Sequence, residues 1–381
     1  MEGPAPVSDE LLYSEPEEDL RAAVADLLAT RAPWSAVLAR TGTSEPYDAD
    51  LWKALGAGIG AAGLVVPESL GGAGASLREA AVVAEELGKA VAPVPFLGNL
   101  TATALLLALR ESGAGDAADE HLRRIATGEQ TAAVAIPFST PPDWTTIGSL
   151  SVTPWPPSTE VHEARLTGRV TSVADALPAD VLVVPADGSI YVVPASEARR
   201  EPVTSLDMTR VLCDIEFDDT PAELLTIGYE PLRLALLAAA AVLASEQLGL
   251  AERCLDLTVE YVKTRRQFGR AVGSYQGLKH RLAQLWVQIA QARAVARHAA
   301  SATGAEQAIA VAVAQAHCST VAVQAAEECV QMHGGIGFTW EHPAHLYLKR
   351  AKSASLALGG PSRHRRRLAE LVNLPPSAPT R

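Results

Sequence analysis

The sequence predicts an α+β protein with an N-terminal helical domain, a central antiparallel β domain and a C-terminal four-helix bundle. Three observations support this fold class. Apolar residues recur every three or four positions towards both ends of the 381-residue chain, as in amphipathic helices. Between these regions, short Val- and Ile-rich runs alternate with prolines and turn residues, as in strands. The changes of pattern place the domains at residues 1–130, 131–228 and 229–381.

The clearest N-terminal helix begins near Ser76. Ser76 and Glu79 have the spacing of a capping box, and we expect the helix that follows to end at Gly88. The preceding segment, residues 63–74, reads GLVVPESLGGAG. It lacks the G-x-G-x-x-G and G-K-[ST] spacings, so nucleotide binding of the Rossmann or P-loop kind is unsupported.

The β domain contains one clear hairpin. Residues 181–193 form two β-rich runs on either side of Asp187-Gly188, a favoured two-residue turn. A further strand is expected at residues 211–217. Short strands joined by such turns predict antiparallel pairing.

The C-terminal part contains four long helix patterns, at residues 232–262, 275–302, 305–333 and 343–371. Only connections that contain Gly or Pro interrupt them. Long helices joined by short connections predict an antiparallel bundle.

Composition argues against nucleic acid and membranes as partners. The 44 acidic and 32 basic residues give a net charge of -12, which repels nucleic acid and anionic lipid. The most apolar window, residues 234–244, is shorter than the about 20 residues that span a bilayer. The acidic N-terminus lacks the features of a signal peptide. We therefore expect a cytoplasmic protein without membrane insertion that acts on small molecules.

The cysteines form no C-x-x-C pair and no Cys/His cluster, so no metal site is expected. They lie in apolar patterns and are interpreted as buried thiols in a reducing cytoplasm. These residues are Cys213, Cys254, Cys318 and Cys329.

A first candidate site follows the first bundle helix. It reads Arg265-Arg266-Gln267-Phe268-Gly269, with Gln276 shortly after it. A guanidinium on a loop can pair with a phosphate, and an adjacent aromatic ring can pack on a flat cofactor. An Arg near a helix C-terminus is also commonly a surface residue that matches the helix dipole. The motif alone leaves both interpretations open.

A second candidate site follows the third bundle helix. Here Gly334 and Gly335 leave the backbone bare for close contact with a ligand, and Gln331 can hydrogen-bond the ligand from one turn earlier. A glycine loop that only caps the helix is the alternative. The two sites together are more specific than either alone.

These motifs resemble those of the acyl-CoA dehydrogenases. The shared features are R-x-x-F-G with a following Gln, Q-x-x-G-G-x-G one helix later, E-x-P after it, and G-L-V-V-P-E with G-G-x-G near the N-terminus. The resemblance covers roughly residues 19–371 and implies FAD at a subunit interface. It implies that Arg265 binds the pyrophosphate and that Phe268 lies against the cofactor. On a neighbour's FAD, the adenosine side would be contacted by Gln331, Gly334 and Gly335, and Gln276 completes the set.

The resemblance also implies α,β-desaturation of a CoA thioester, in which a carboxylate removes a proton and a hydride passes to the flavin. An electron-transfer protein would then accept the electrons. Ungapped spacing places the family's two usual base positions at Leu358 and Ala239, and neither is a carboxylate. The flavin-contacting runs of the β domain are also replaced, at residues 135–144 and 168–175. We therefore assign no catalytic base.

Retained and missing features together resemble actinobacterial-type family members that work as unequal pairs. We expect a subunit of a heteromeric, FAD-dependent acyl-CoA dehydrogenase whose partner supplies the base. One alternative is a self-sufficient homo-oligomeric flavoenzyme using another acid such as Glu246, two helical turns from Ala239. Glu246 could instead be paired with Arg253 or Lys279. Another alternative is a non-catalytic scaffold subunit.

A last candidate is the basic run Arg363-His-Arg-Arg-Arg367. Its arginines could clamp a phosphate of CoA or FAD, or could form a solvated helix face.

Overall fold

The computed structural model describes residues 11–43, 45–113, 115–144, 150–154 and 163–375. The first ten residues, part of the acidic N-terminus considered above, lie outside the described residues. Helices occupy the two ends of the described chain, and strands occupy the middle.

The N-terminal helices are α1 (Glu15–Arg31), α2 (Trp34–Arg40), α3 (Ala49–Lys53), α4 (Leu77–Ala90), α5 (Phe96–Glu111) and α6 (Gly115–Ala126). The predicted capping box begins α4: the Ser76 amide donates to Glu79 at 2.9 Å, and the Arg78 amide donates to the Ser76 hydroxyl at 3.1 Å.

Gly88 does not end α4, contrary to prediction. The helix continues to Ala90, and Val91 ends it in a left-handed conformation with φ 45°. Gly88 is required for packing instead, because a Cβ there would lie 2.1 Å from the Glu246 carbonyl oxygen. Gly249 is reciprocal, since its Cβ would lie 1.8 Å from the Glu85 carbonyl oxygen. The two glycines let the backbones of two helices touch.

The middle strands are β1 (Ala132–Val134), β2 (Ser151–Pro154), β3 (Glu163–Ala174), β4 (Val181–Ala186), β5 (Ser189–Pro194), β6 (Arg199–Val203) and β7 (Leu212–Ile227). They pair in the order β1-β4-β5-β7-β3-β2, with β6 also on β7. All these pairs are antiparallel except β1 with β4, which is parallel, so the sheet is mixed. The predicted hairpin is confirmed, with positive φ at Asp187 and Gly188 as a type I′ turn requires.

The sheet separates two apolar cores. Successive residues of a strand point to opposite faces. Val183 and Val192 pack into the large core shared with the helices, whereas Leu182 and Val193 pack into a smaller core within the β layer. The sheet therefore covers the helices with one face and encloses its own core with the other.

The C-terminal helices are α7 (Glu230–Thr264), α8 (Gln276–Ser301), α9 (Gly304–His333), α10 (Ala344–Ala354) and α11 (Pro361–Leu371). The prediction of one helix over residues 343–371 is wrong. Leu358 and Gly359 adopt positive φ values of 50° and 96°, and Pro361 begins a new helix. A Gly-Gly-Pro sequence favours such a break.

Among the described residues, two stretches are long and apolar enough to cross a membrane: residues 230–264 and 304–338, with mean hydropathies of 1.7 and 1.4. The apolar part of α7 is thus longer than the window 234–244 suggested. However, 94% of the α7 window is buried inside the protein, as is 56% of the other. Burial in the core accounts for the composition of α7, since a helix that is apolar all round is a buried one.

Candidate functional site

The six residues predicted to bind a cofactor are all exposed and lie at one end of the helical bundle. The helices α7 and α9 end there, and α8 begins there. A ring contact between Tyr261, near the end of α7, and His333, the last residue of α9, joins the two motifs at a centroid distance of 4.4 Å. The fold therefore brings together two motifs that are far apart in sequence.

The first motif forms a small hairpin, β8 (Arg266–Gln267) and β9 (Arg270–Ala271). Its two-residue turn has positive φ at Phe268 and Gly269, 50° and 79°. Phe268 is consequently 91% exposed. A phenyl ring this exposed at a hairpin tip is suited to contact another molecule.

Basic side chains surround the hairpin. Residues 261–290 contain six Lys or Arg residues and no Asp or Glu, although the whole chain has a net charge of -12. Among the described residues Arg265 has no ion-pair partner, whereas Arg270 lies 3.7 Å from the Tyr275 ring. An unpaired guanidinium in a basic region is suited to bind phosphate.

The second motif forms a glycine loop, residues 334–341. It starts with a 3-10 turn, Gly334–Phe338, and Gly334 has φ 63°. A Cβ at Gly334 or Gly335 would meet nothing within 4 Å, whereas one at Gly337 would lie 2.7 Å from the Val330 carbonyl. Packing inside the chain therefore requires Gly337 but not Gly335. A bare backbone facing open space fits close approach by a ligand such as a dinucleotide.

Exposed aromatic residues flank both motifs and were missed from the sequence. Phe338 (75%) and Trp340 (61%) lie on the glycine loop, and Trp286 (61%) lies ten residues into α8. Large exposed aromatic side chains near the two motifs are suited to contact another molecule.

The two positions predicted for the family's base are buried and apolar. Ala239 is wholly buried within α7, and Leu358 is 4% exposed. The Leu358 amide donates to the Phe138 carbonyl at 2.8 Å, and a ring nitrogen of His364 lies 3.0 Å from the Leu358 carbonyl. The first hydrogen bond holds the segment around Leu358 directly against the segment that follows β1, and the second joins Leu358 to α11.

The cavity left between these segments has a volume of about 30 Å³, comparable to the share of one water molecule. It is lined by apolar groups that include Leu97, Thr101, Phe138, Leu236 and Leu358. The space beside Leu358 is therefore small and lined by apolar groups.

Glu246 is buried and paired, but not with the expected partners. It lies 2.5 Å from Arg210 and 3.1 Å from Arg350, rather than beside Arg253 or Lys279. Burial would raise the pKa of Glu246, but the two guanidinium groups outweigh burial and lower the pKa to about 2. A general base works best with a pKa near the operating pH. Glu246 is therefore unsuited to remove a proton at neutral pH.

The basic run is largely engaged within the chain. Arg363 binds Asp143 at 2.8 Å, Arg367 binds Glu370 at 3.0 Å, and His364 is buried. The arginines between them, Arg365 and Arg366, are exposed and form no ion pair among the described residues. This arrangement favours the solvated helix face over a phosphate clamp.

The four cysteines are free and buried, as predicted. Among the described residues, no group of three or more His, Cys, Asp or Glu could hold a metal ion.

Comparison with known proteins identifies the family. Two family models match: Acyl-CoA dehydrogenase, N-terminal domain, over residues 14–129, and Acyl-CoA dehydrogenase, C-terminal domain, over residues 228–372. The chain belongs to the acyl-CoA dehydrogenases, FAD-dependent oxidoreductases of lipid metabolism. This membership confirms the predicted fold class, enzyme class and cofactor.

Particular relatives are similar along nearly the whole chain. Acyl-CoA dehydrogenase IpdE2 of Mycobacterium tuberculosis is 38% identical over 361 residues, which cover 94% of this chain and 98% of the relative. A variant of the Tcur3481-Tcur3483 steroid ACAD has a TM-score of 0.80 at 27% identity, covering 97% and 99% of the two chains. The ChsE4-ChsE5 complex of Mycobacterium tuberculosis has a TM-score of 0.83 at 24% identity, covering 96% and 100%.

Proposed function

We propose that this chain is the cofactor-donating subunit of a heteromeric acyl-CoA dehydrogenase, and that a partner subunit supplies the base and the acyl pocket. The observation that carries this proposal is the hydrogen bond between the Leu358 amide and the Phe138 carbonyl. In the family, the segment after the first strand contacts flavin and the segment around Leu358 holds a base. In this chain the two segments touch at this hydrogen bond, which supports placing the base and the acyl pocket on a partner subunit.

The retained residues have roles that face outward. Arg265 binds the pyrophosphate of FAD, where its charge pairs with phosphate oxygens. Phe268 packs against the cofactor from the hairpin tip, and Gln276 contacts the cofactor from the first residue of α8. Across the same end of the bundle, the adenosine side is contacted by Gln331, Gly334 and Gly335.

The partner completes the reaction centre. FAD held by these residues would supply the hydride acceptor for the family's desaturation of a CoA thioester, and an electron-transfer protein would reoxidise the complex. Two solved structures similar to this chain are named as pairs, Tcur3481-Tcur3483 and ChsE4-ChsE5, and the first is named a steroid ACAD. These names support a heteromer and a steroid-derived acyl group as the substrate class. The free thiols suit a reducing cytoplasm.

The alternatives have less support. A self-sufficient enzyme needs an acid at its reaction site, and Glu246 is held by two arginines instead. A scaffold that binds no flavin would not need bare glycine backbone at Gly335 or a phenyl ring at the hairpin tip.

The test is purification alone and with a partner. The chain would be expressed by itself and together with a dehydrogenase subunit that has a Glu at a family base position. We expect bound flavin and turnover of a steroid-derived CoA thioester only in the complex. Turnover by the chain alone would refute the proposal that a partner subunit supplies the base. A tight complex without flavin would support the alternative of a non-catalytic scaffold subunit.

A further inference from the structure

We propose that Tyr261, His333 and His342 are positioning residues that hold the hairpin and the glycine loop in one fixed arrangement for FAD. This inference rests on the proposed function. It adds three residues that are not among the six predicted to contact FAD. The observation that carries it is a continuous stack of three rings. Tyr261 lies 4.4 Å from His333, and His333 lies 4.0 Å from His342, between ring centroids.

The stack closes the glycine loop. His333 immediately precedes the loop of residues 334–341, and His342 immediately follows it. Since the two rings are in contact, both ends of this eight-residue loop are fixed side by side. A Cβ at Gly334 or Gly335 would meet nothing within 4 Å, whereas Gly337 packs against the Val330 carbonyl. The positions of the two bare glycines therefore depend on the closed ends of the loop together with Gly337.

The same stack connects the loop to the hairpin. The Tyr261 carbonyl accepts a hydrogen bond from the Arg265 amide at 2.9 Å, and the Arg265 carbonyl accepts one from the Val272 amide at 2.8 Å. Tyr261 thus supports the base of the hairpin that bears Arg265. A shift of His333 would change the distance between the hairpin and the glycine loop, which must contact the same FAD molecule.

Hydrogen bonds hold both imidazole rings in place. A ring nitrogen of His333, Nδ1, lies 2.7 Å from the Cys329 carbonyl and donates to it. The Nδ1 atom of His342 accepts from the Ala344 amide at 3.2 Å, at the start of α10. Burial, together with His333 and His345, lowers the pKa of His342 to about 4, so this ring is neutral at neutral pH. Each ring is therefore oriented by the backbone of a helix end.

The test measures FAD affinity in the purified complex. His333→Ala removes both ring contacts, and we expect the dissociation constant of FAD to rise roughly tenfold, because each aromatic contact stabilises modestly. His333→Phe keeps the stacking but cannot donate to the Cys329 carbonyl, so its loss of affinity should be smaller than that of His333→Ala. His298→Ala, on the far half of α8, is the matched control and should have no effect.

A second measurement separates positioning from general stability. In His333→Ala, amide hydrogen exchange should become faster in residues 334–341 but not in the core of α7. Tyr261→Leu should act in the same direction and serves if His333→Ala does not assemble. Equal FAD affinity in His333→Ala and the wild type, an equal loss in His333→Phe, or faster exchange throughout α7 would overturn the inference.

The proposed function can fail separately. If Arg265→Ala leaves FAD affinity unchanged, the cofactor assignment itself is wrong. If Arg265→Ala weakens binding and His333→Ala does not, only the positioning role is wrong.

Discussion

Glu246 on α7 lies 2.5 Å from Arg210, a residue of the loop before β7, and this buried ion pair joins the helical bundle to the β domain. Arg350 on α10 contacts the second carboxylate oxygen at 3.1 Å. The carboxylate is thus the common partner of two guanidinium groups. Arg350 also contacts Asp207 at 2.7 Å, so removing the Glu246 carboxylate would take away the carboxylate that Arg210 contacts and one of the two that Arg350 contacts. This loss is costly because both guanidinium groups are buried.

Glu246→Gln should therefore lower the free energy of unfolding by about 3–5 kcal/mol. The folded-state pKa of Glu246, about 2, lies below its usual value of 4.5. The stabilisation is fully present above about pH 4.5 and is lost as the pH falls towards 2. Denaturation between pH 7 and 3 should show this loss in the wild type and a flatter profile in the variant. Glu306→Gln, at an exposed site, is the control, and equal profiles would contradict the prediction.

Leu358→Glu should not create an active enzyme from the chain alone. The side chain is buried against a cavity of about 30 Å³, so a carboxylate there would be desolvated without room for a thioester. We expect no dehydrogenase activity and a loss of about 2–4 kcal/mol in unfolding free energy. Leu358→Met, which conserves volume, should cost less than about 1.5 kcal/mol. Turnover of a CoA thioester by the isolated Leu358→Glu variant would show that the space beside this position admits a substrate.

Arg265→Ala should weaken FAD binding to the complex by about 10- to 100-fold, as expected for lost hydrogen bonds between charged groups. The effect should shrink at high salt, which screens the same attraction. Arg266→Ala removes a neighbouring exposed charge and is the matched control, with an expected change of about twofold or less. Equilibrium dialysis with FAD provides the measurement. Equal losses in the two variants would indicate a general charge effect and not a specific contact.

Gly335→Ala should lower FAD affinity but not stability, whereas Gly88→Ala should lower stability. A Cβ at Gly335 meets open space, so thermal stability should change by less than about 0.5 kcal/mol while FAD affinity falls. A Cβ at Gly88 would lie 2.1 Å from a backbone oxygen, so unfolding free energy should fall by about 2–4 kcal/mol. Thermal denaturation of both variants measures the change in stability, and FAD titration measures the change in affinity. A Gly335→Ala variant with unchanged FAD affinity would exclude close approach at this loop.

Features that depend on local spacing were predictable from the sequence. Residues within a few positions of each other determine the capping box at Ser76, the turn at Asp187-Gly188 and the helix ends beside both motifs. The motif of Arg265 and Phe268 was also local, although its hairpin form was not predicted. Local rules were sufficient wherever neighbours in sequence are also the partners in space.

Features that depend on distant residues were not predictable. Glu246 was expected to pair with nearby cations, but its partners are 36 and 104 residues away in sequence. The parallel pairing of β1 with β4 likewise joins segments about 50 residues apart. The hydrogen bond of the Leu358 amide depends on Phe138, whose approach no spacing rule specifies. In each case, tertiary packing selects one partner among several that are chemically equivalent.

The crossing of α4 and α7 determines how far the hairpin can reach. Gly88 and Gly249 admit no side chain, so neither helix can slide along the other by one residue without a backbone collision. Arg265 lies 16 residues beyond Gly249, about 24 Å along a continuous helix. The crossing therefore fixes the distance along α7 between α4 and the hairpin. Inserting one residue between Gly249 and Tyr261 would turn the hairpin by about 100° and advance it by about 1.5 Å, which would move Arg265 from the position proposed for binding FAD.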